Sequence, residues 1–493
     1  MKERISRFIV WYKNARQHGE MQFWWIFLVA VYTPFEDFLV KWIPGPSLIP
    51  AVLHFIPEII LYSLFINLLF RRLPQRQFQK TPIDELVVIF FISALISIIV
   101  NGSPLFESIY NIRTLWRYIS AYYVLVNTNI SPQQVSLMLS GIKLTGIIES
   151  IIVFFQFFLP TSINQFLFAP RQLEIAGYQK QSQAEDGSFK PGSIFGTFDN
   201  TAVLSTFLLL TSVLVWNFIY AKSSRIIPEN QDFISLFFLY FATFASKKRI
   251  ALVISLVIAV IVLWYRQRKI QASWVIWTYT TVSFVAIAGM LLFTSPQASS
   301  PPTSVQSEAK ANQGPPPEET SNASAYFLKI FSPEFLGDSK ENSRIWIAST
   351  TLNAIVDSGS WFGFGPDLIT AKKSMIDFIP DPKDQNRMIR FIPYEDFYWI
   401  AMIAYYGVIG LGIYLLILYR LYQVSRWLML HSSVPEYKLL ATTFCTLSVV
   451  TILYAFVERI LILRTFSLYF WVLAGLVVNA RYHNPTLREH GNR

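Results

Sequence analysis

A chain of 493 residues that is 53% hydrophobic and only 15% charged has too little polar surface for an ordinary water-soluble protein. Its formal charge of +10 sits at alternate connections between apolar runs, a distribution that argues against a nucleic-acid surface. The lone Cys445 excludes an intrachain disulfide and a cysteine metal cluster, and the five histidines show no ligand spacing, so neither metal nor cofactor is expected.

Basic Met1–Arg16 leads into a long apolar run with no small-residue cleavage site, which predicts that no leader is removed. Apolar runs then predict about 12 transmembrane helices. Their approximate bounds are 22–42, 50–70, 83–100, 106–127, 134–158, 200–220, 232–246, 249–265, 271–293, 397–420, 437–457 and 460–480. Glu36 and Asp37 interrupt the first, and Arg113 and Arg117 the fourth. The expected fold is an all-α polytopic integral membrane protein. Basic residues mark one set of connections: Lys2 to Arg16, Arg71 to Lys80, Lys222 and Arg225, Arg266 to Lys269, Arg420 to Lys438, and Arg481 to Arg493. That asymmetry places both termini in the cytoplasm.

Two large loops then lie outside, at 160–200 and 294–396. The chain divides accordingly into a membrane region over 1–293, a loop over 294–396 and a C-terminal membrane region over 397–493. The loop opens with a Pro/Ser/Glu-rich stretch over 294–325 that cannot bury a core and reads as a tether. Aromatic and aliphatic residues return over 326–396, with helical spacing over 342–355, which predicts an ordered, partly helical half close to the membrane.

Some charges break the pattern. Ser246-Lys247-Lys248-Arg249 occupies a short connection assigned to the outside, against the positive-inside tendency. Cations there either snorkel toward lipid phosphates or, with helix N–H groups, form an anion site. Arg344 is either a surface residue of an amphipathic helix or a second phosphate or sugar contact, for which a planar donor fork suits diphosphate oxygens. Gly363 and Gly365 permit a tight turn or a close backbone approach. Glu395 and Asp396 begin the tenth span, as helix-capping residues or as a general base for a sugar hydroxyl. Asp199 and Asn200 carry the same capping alternative. Glu149 and Gln156 fall inside the fifth span, where buried polar groups usually face a cavity.

Three passages resemble the O-antigen polymerase and O-antigen ligase superfamily of bacterial membrane glycosyltransferases. They are Gly192 to Asn200, Ala245 to Ala251 with its Lys-Lys-Arg, and the stretch from Ser343-Arg344-Ile345-Trp346 through Gly363-x-Gly365 to Asp396-Phe397 and Gly407-x-x-Gly410. Together they span roughly 190–415. The resemblance implies a GT-C-like enzyme of the bacterial inner membrane with a large periplasmic loop and a periplasmic active site. It implies transfer of a glycan from an undecaprenyl-pyrophosphate-linked donor to a hydroxyl of a second lipid-linked glycan, without metal or nucleotide sugar. It also allows a protein partner that sets chain length. On this reading Lys247, Lys248, Arg249 and Arg344 would stabilise the departing diphosphate, with Arg171 and Arg390 as further sugar or phosphate contacts. Asp396, with Glu395 behind it, would deprotonate or orient the acceptor hydroxyl. The ligases usually carry a histidine where this chain has Asp396, which favours the polymerase branch. The alternatives are a ligase passing the glycan to a lipid or protein, and a transporter or flippase of a lipid-linked glycan or small anion. No two-half repeat supports a transporter, whose binding groups belong near the midplane.

Overall fold

The computed structural model describes residues 20–43, 48–168, 173–175, 178–180, 194–198, 200–222, 230–246, 248, 251, 253–255, 258, 344–379, 382, 385, 398–456 and 458–483. The chain forms two compact units, 1–270 with 348–493, and 271–347. Among the described residues, the first unit holds every helix and the hairpin, apart from residues 344–347 at the start of one helix.

The described architecture is helical, with one antiparallel hairpin in which β1 (Leu173–Ile175) pairs with β2 (Tyr178–Lys180). The first apolar run is α1 (Glu20–Tyr32), a 3-10 turn at Thr33–Phe35 and α2 (Glu36–Lys41), followed by α3 (Leu48–Arg72) and α4 (Asp84–Asn101). Helix α4 starts where Asp84 accepts from the Thr81 N–H at 2.8 Å and stops at Gly102, whose φ of +59° ends the helix in the left-handed region. Next come α5 (Leu105–Trp116), α6 (Ile119–Val126), α7 (Pro132–Phe158) and α8 (Thr161–Phe168). A Ser131–Gln134 capping box with Pro132 in the first turn explains why α7 begins where it does. Helices α9 (Thr201–Lys222) and α10 (Asn230–Ala245) lead to the last group. That group is α11 (Arg344–Ser358), α12 (Leu368–Ile376), α13 (Tyr398–His431), α14 (Pro435–Tyr454) and α15 (Arg464–His483).

Among the described residues, seven helical segments are long and apolar enough to cross a membrane: Met21–Lys41, Val52–Arg72, Asp84–Asn101, Pro132–Phe158, Thr201–Ile219, Tyr398–His431 and Pro435–Tyr454. The predicted spans 249–265 and 271–293 fall largely outside the described residues. Two expectations change. The single span predicted over 106–127 is two short helices, α5 and α6, meeting at Arg117 and Tyr118. The charge at Arg117 that interrupts the apolar run also ends the helix. Arg420 and Arg426, predicted in a connection, lie inside α13, which continues to His431 because nothing in its sequence stops a helix at the apolar boundary.

Burial separates core helices from lipid-facing ones. The apolar window of α9 is 94% buried and that of α14 is 78%, against 28% for α3 and 33% for α4. Ile66, Phe70, Ile99 and Val100 project outward from α3 and α4, as a hydrocarbon environment allows. Several hydroxyl side chains of the core are satisfied within their own helix. Thr442, Thr446, Ser448 and Thr451 of α14 each donate to the carbonyl four residues back, at 2.7 to 2.9 Å. Trp116 anchors the centre, with ring centroids 5.2 Å from Phe90, 5.6 Å from Tyr414 and 5.6 Å from Trp471.

Side-chain pairs fix helix directions. Arg464 opens α15 beside Tyr118 ahead of α6, and Asn479 late in α15 donates to the Leu125 carbonyl late in α6, so these two run parallel. Ser97 of α4 bonds Tyr405 of α13 while Phe90 packs on Tyr414, so those two run antiparallel.

Candidate functional site

Helix α13 is broken at Gly407, which has φ +68° and ψ −175°. A continuous helix would send the N–H groups of residues 408 and 409 to the carbonyls of Ala404 and Tyr405. Here the loop over 361–366 takes those places. The Phe364 N–H donates to the Ala404 carbonyl at 2.8 Å, and the Ile409 N–H donates to the Trp361 carbonyl at 3.3 Å. Ser97 of α4 donates to the Tyr405 carbonyl at 3.0 Å. The loop is held from its other side by Asn101, which donates to the Gly363 carbonyl at 3.0 Å, and by Asn111, which donates to the Pro366 carbonyl at 2.7 Å. Gly363 has φ +79°, and a Cβ there would stand 2.4 Å from the Gly407 nitrogen. The turn expected from Gly363 and Gly365 is present, and its purpose is a backbone-to-backbone seat in the break of α13.

The first piece of α13, residues 398–406, is also tied to the end of α14. Trp399 Nε1 donates to the Ile452 carbonyl at 3.2 Å, and the Trp399 ring lies 6.4 Å from Phe456. The turn after α14 carries Glu458, fixed by its N–H donating to Tyr454 and its carbonyl accepting from Ile460. Glu458 Oε2 lies 3.3 Å from Lys248 Nζ. Three passages far apart in sequence therefore converge: the Lys-Lys-Arg connection at Lys248, the start of α13, and the α14–α15 turn. Lys248 is one-third exposed and Glu458 largely buried, so the pair stands at the border of the fold.

Lys248 is thus at the end of the bundle where α13 begins, paired with a carboxylate that no sequence motif marks. Arg344 opens α11. Lys247, Arg249, Glu395, Asp396, Arg171 and Arg390 lie outside the described residues. Asn200 caps α9 by accepting the Val203 N–H at 2.9 Å, the structural alternative foreseen for it. The expectation that Glu149 and Gln156 face a cavity is corrected. Glu149 accepts the Thr197 N–H at 2.6 Å and its hydroxyl at 2.8 Å. Gln156 accepts the Gly196 N–H at 2.8 Å and donates to Asn164 at 2.7 Å. Both side chains hold the segment 194–198 against α7, which satisfies their polar atoms within the protein.

A larger charged cluster also escapes a reading of the sequence. Arg464 Nη1 lies 2.6 Å from Glu36 Oε1, its Nε donates to the Tyr118 hydroxyl at 3.1 Å, and its Nη2 donates to the His54 carbonyl. His54 Nδ1 is 2.8 Å from Glu36, and its Nε2 is 3.6 Å from Asp37. Glu58 pairs with Arg113 and, at 3.4 Å, with Arg117. The arginines Arg113, Arg117 and Arg464 face the carboxylates of Glu36, Asp37 and Glu58, so the cluster balances its own charge and clamps α2, α3, α5 and α15. The interruptions at Glu36, Asp37, Arg113 and Arg117 were the signal. Each of them calls for an opposite charge, and packing decides which residue supplies it.

Residues 234–415 match the family model described as O-antigen ligase. The resemblance to the O-antigen ligase and polymerase superfamily therefore stands on this segment. The matched segment contains Lys248, the loop over 361–366 and the broken first half of α13, which are the parts that the geometry brings together around Gly407 and Trp399. The match supports a function of the O-antigen ligase or polymerase type, and with it an enzymatic activity. Together with the apolar helices it supports a membrane location. No curated protein matches the chain significantly.

Proposed function

We propose that this protein is a membrane glycosyltransferase that polymerises undecaprenyl-pyrophosphate-linked oligosaccharide repeat units into a surface polysaccharide. The observation that carries this reading is the convergence, within or beside the matched segment, of a cation-bearing connection, a broken helix and a docked loop. Such breaks in apolar helices are tolerated where protein satisfies the freed backbone, and they tend to mark sites of function.

In the proposed reaction an acceptor sugar hydroxyl attacks the anomeric carbon of the donor glycan. The new C–O bond forms as the bond to the diphosphate oxygen breaks, and undecaprenyl pyrophosphate leaves. Lys247, Lys248, Arg249 and Arg344 offset the negative charge that grows on the diphosphate, with Arg171 and Arg390 as further contacts to phosphate or sugar. Asp396, with Glu395 behind it, takes or orients the hydroxyl proton. The site faces the periplasmic side of the inner membrane, with both termini cytoplasmic, and a chain-length regulator is a fitting partner. Asp396, at the position where ligases usually carry histidine, favours polymerisation over transfer to a lipid or protein acceptor.

Analysis of what accumulates in cells lacking the protein tests the reading. Loss of a polymerase leaves single lipid-linked repeat units facing outward. Long lipid-linked chains would instead indicate a ligase, and single units facing the cytoplasm a flippase.

A further inference from the structure

The Lys248–Glu458 pair has a consequence beyond holding two connections together. Lys248 belongs to the cation run to which the proposed function assigns the diphosphate, yet its ammonium is matched by a carboxylate at 3.3 Å. A diphosphate and Glu458 are both anionic oxygen ligands for the same ammonium. Lys248 is 34% exposed and Glu458 only 11%, so the lysine is the partner able to swing away on its flexible stem. Glu458 is the more confined partner, with its backbone held by hydrogen bonds to Tyr454 and Ile460 and its side chain largely buried. Among the described residues its second carboxylate oxygen, Oε1, has no partner. A largely buried carboxylate stripped of its counter-ion is a strong acceptor for a hydroxyl. Trp399 and Phe456 place the turn bearing Glu458 directly against the start of α13, the helix that follows the candidate base.

We propose that Lys248 and Glu458 form an exchangeable pair: the donor's diphosphate takes Lys248, and the freed Glu458 carboxylate then receives a sugar hydroxyl of the glycan. This rests on the reading of the protein as a diphosphate-linked glycan transferase. Glu458 is then at once a competitor for the cation in the empty site and a binding group in the loaded one. Donor binding prepares the carboxylate for the sugar, so occupation of the diphosphate position precedes productive seating of the glycan.

The two substitutions have opposite expected signs. Full-length protein in detergent is titrated with undecaprenyl pyrophosphate, following tryptophan fluorescence, for wild type, Glu458→Gln and Lys248→Gln. Removing the internal competitor raises the fraction of binding-competent lysine, so Glu458→Gln binds roughly fivefold tighter, as expected for a part-exposed ion pair. Lys248→Gln binds several-fold weaker. In cells, Glu458→Gln makes less polymer at equal protein level in spite of its tighter binding, and Glu458→Asp restores part of it. A pair that only holds the fold would weaken binding in both variants, and that outcome overturns the exchange, as does unchanged affinity in Glu458→Gln. Failure of the wild type to bind undecaprenyl pyrophosphate at all would instead overturn the functional reading beneath it.

Discussion

Gly407 and Gly363 allow almost no substitution, because each stands where the other's backbone would meet a Cβ. A methyl at 407 would lie 2.0 Å from the Trp361 carbonyl oxygen, and the positive φ adds strain of about 1–3 kcal/mol for any other residue. Gly407→Ala and Gly363→Ala are expected to lower the melting temperature of purified protein and to reduce polymer. Asn101→Ala removes one bond to the loop and is expected to cost only about 1 kcal/mol. Equal melting temperatures for Gly407→Ala and wild type would show that the loop does not depend on this seat. In the Lys-Lys-Arg connection, Arg249→Ala is expected to abolish polymer while membrane insertion and protein level stay normal. Normal polymer in that variant would remove the residue from the proposed diphosphate site. The glycine turn was legible in the sequence because Gly363 and Gly365 sit two apart in an aromatic stretch. Its partner was not, since a backbone-to-backbone contact between residues 363 and 407 leaves no side-chain pattern to read.

Among the elements, α15 depends most on its first residue. Arg464 carries its charge into a cluster where the Glu36 side chain is only 2% exposed. Replacing Arg464 with methionine leaves Glu36 without its guanidinium, and loss of one partner from a buried ion pair costs about 3–5 kcal/mol. The expected outcome is a large fall in folded yield and in thermal stability, measured by size-exclusion profile and melting curve in detergent. Wild-type stability would mean that the cluster is not a clamp. Most helices were readable from hydropathy and from their start signals, as with Ser131-Pro132 before α7 and Asp84 at α4. The break between α5 and α6 was legible only in part, because Arg117 marks an interruption but a single charge does not show that a separate helix starts again at Ile119. The charged cluster escaped for a related reason: its members come from four helices, and only packing brings them together.

For the whole molecule, the membrane class followed from composition alone, and the segment 234–415 carries the family resemblance. The site was readable in outline, through the Lys-Lys-Arg connection and the glycine turn, whereas Glu458 was hidden in a connection with no motif. Burial separates a core of α9, α14 and α15 from lipid-facing α3 and α4, so substitutions should divide the same way. Phe70→Ala on the exposed side is expected to leave stability within about 0.5 kcal/mol in detergent, while Trp471→Ala in the core costs about 3–5 kcal/mol. The most direct test of the central claim is reconstitution of the purified protein in liposomes with a single defined undecaprenyl-pyrophosphate-linked repeat unit. Gel analysis of the products should show a ladder of lipid-linked multimers with release of undecaprenyl pyrophosphate. Substrate that binds but remains a single unit at all times would contradict the account.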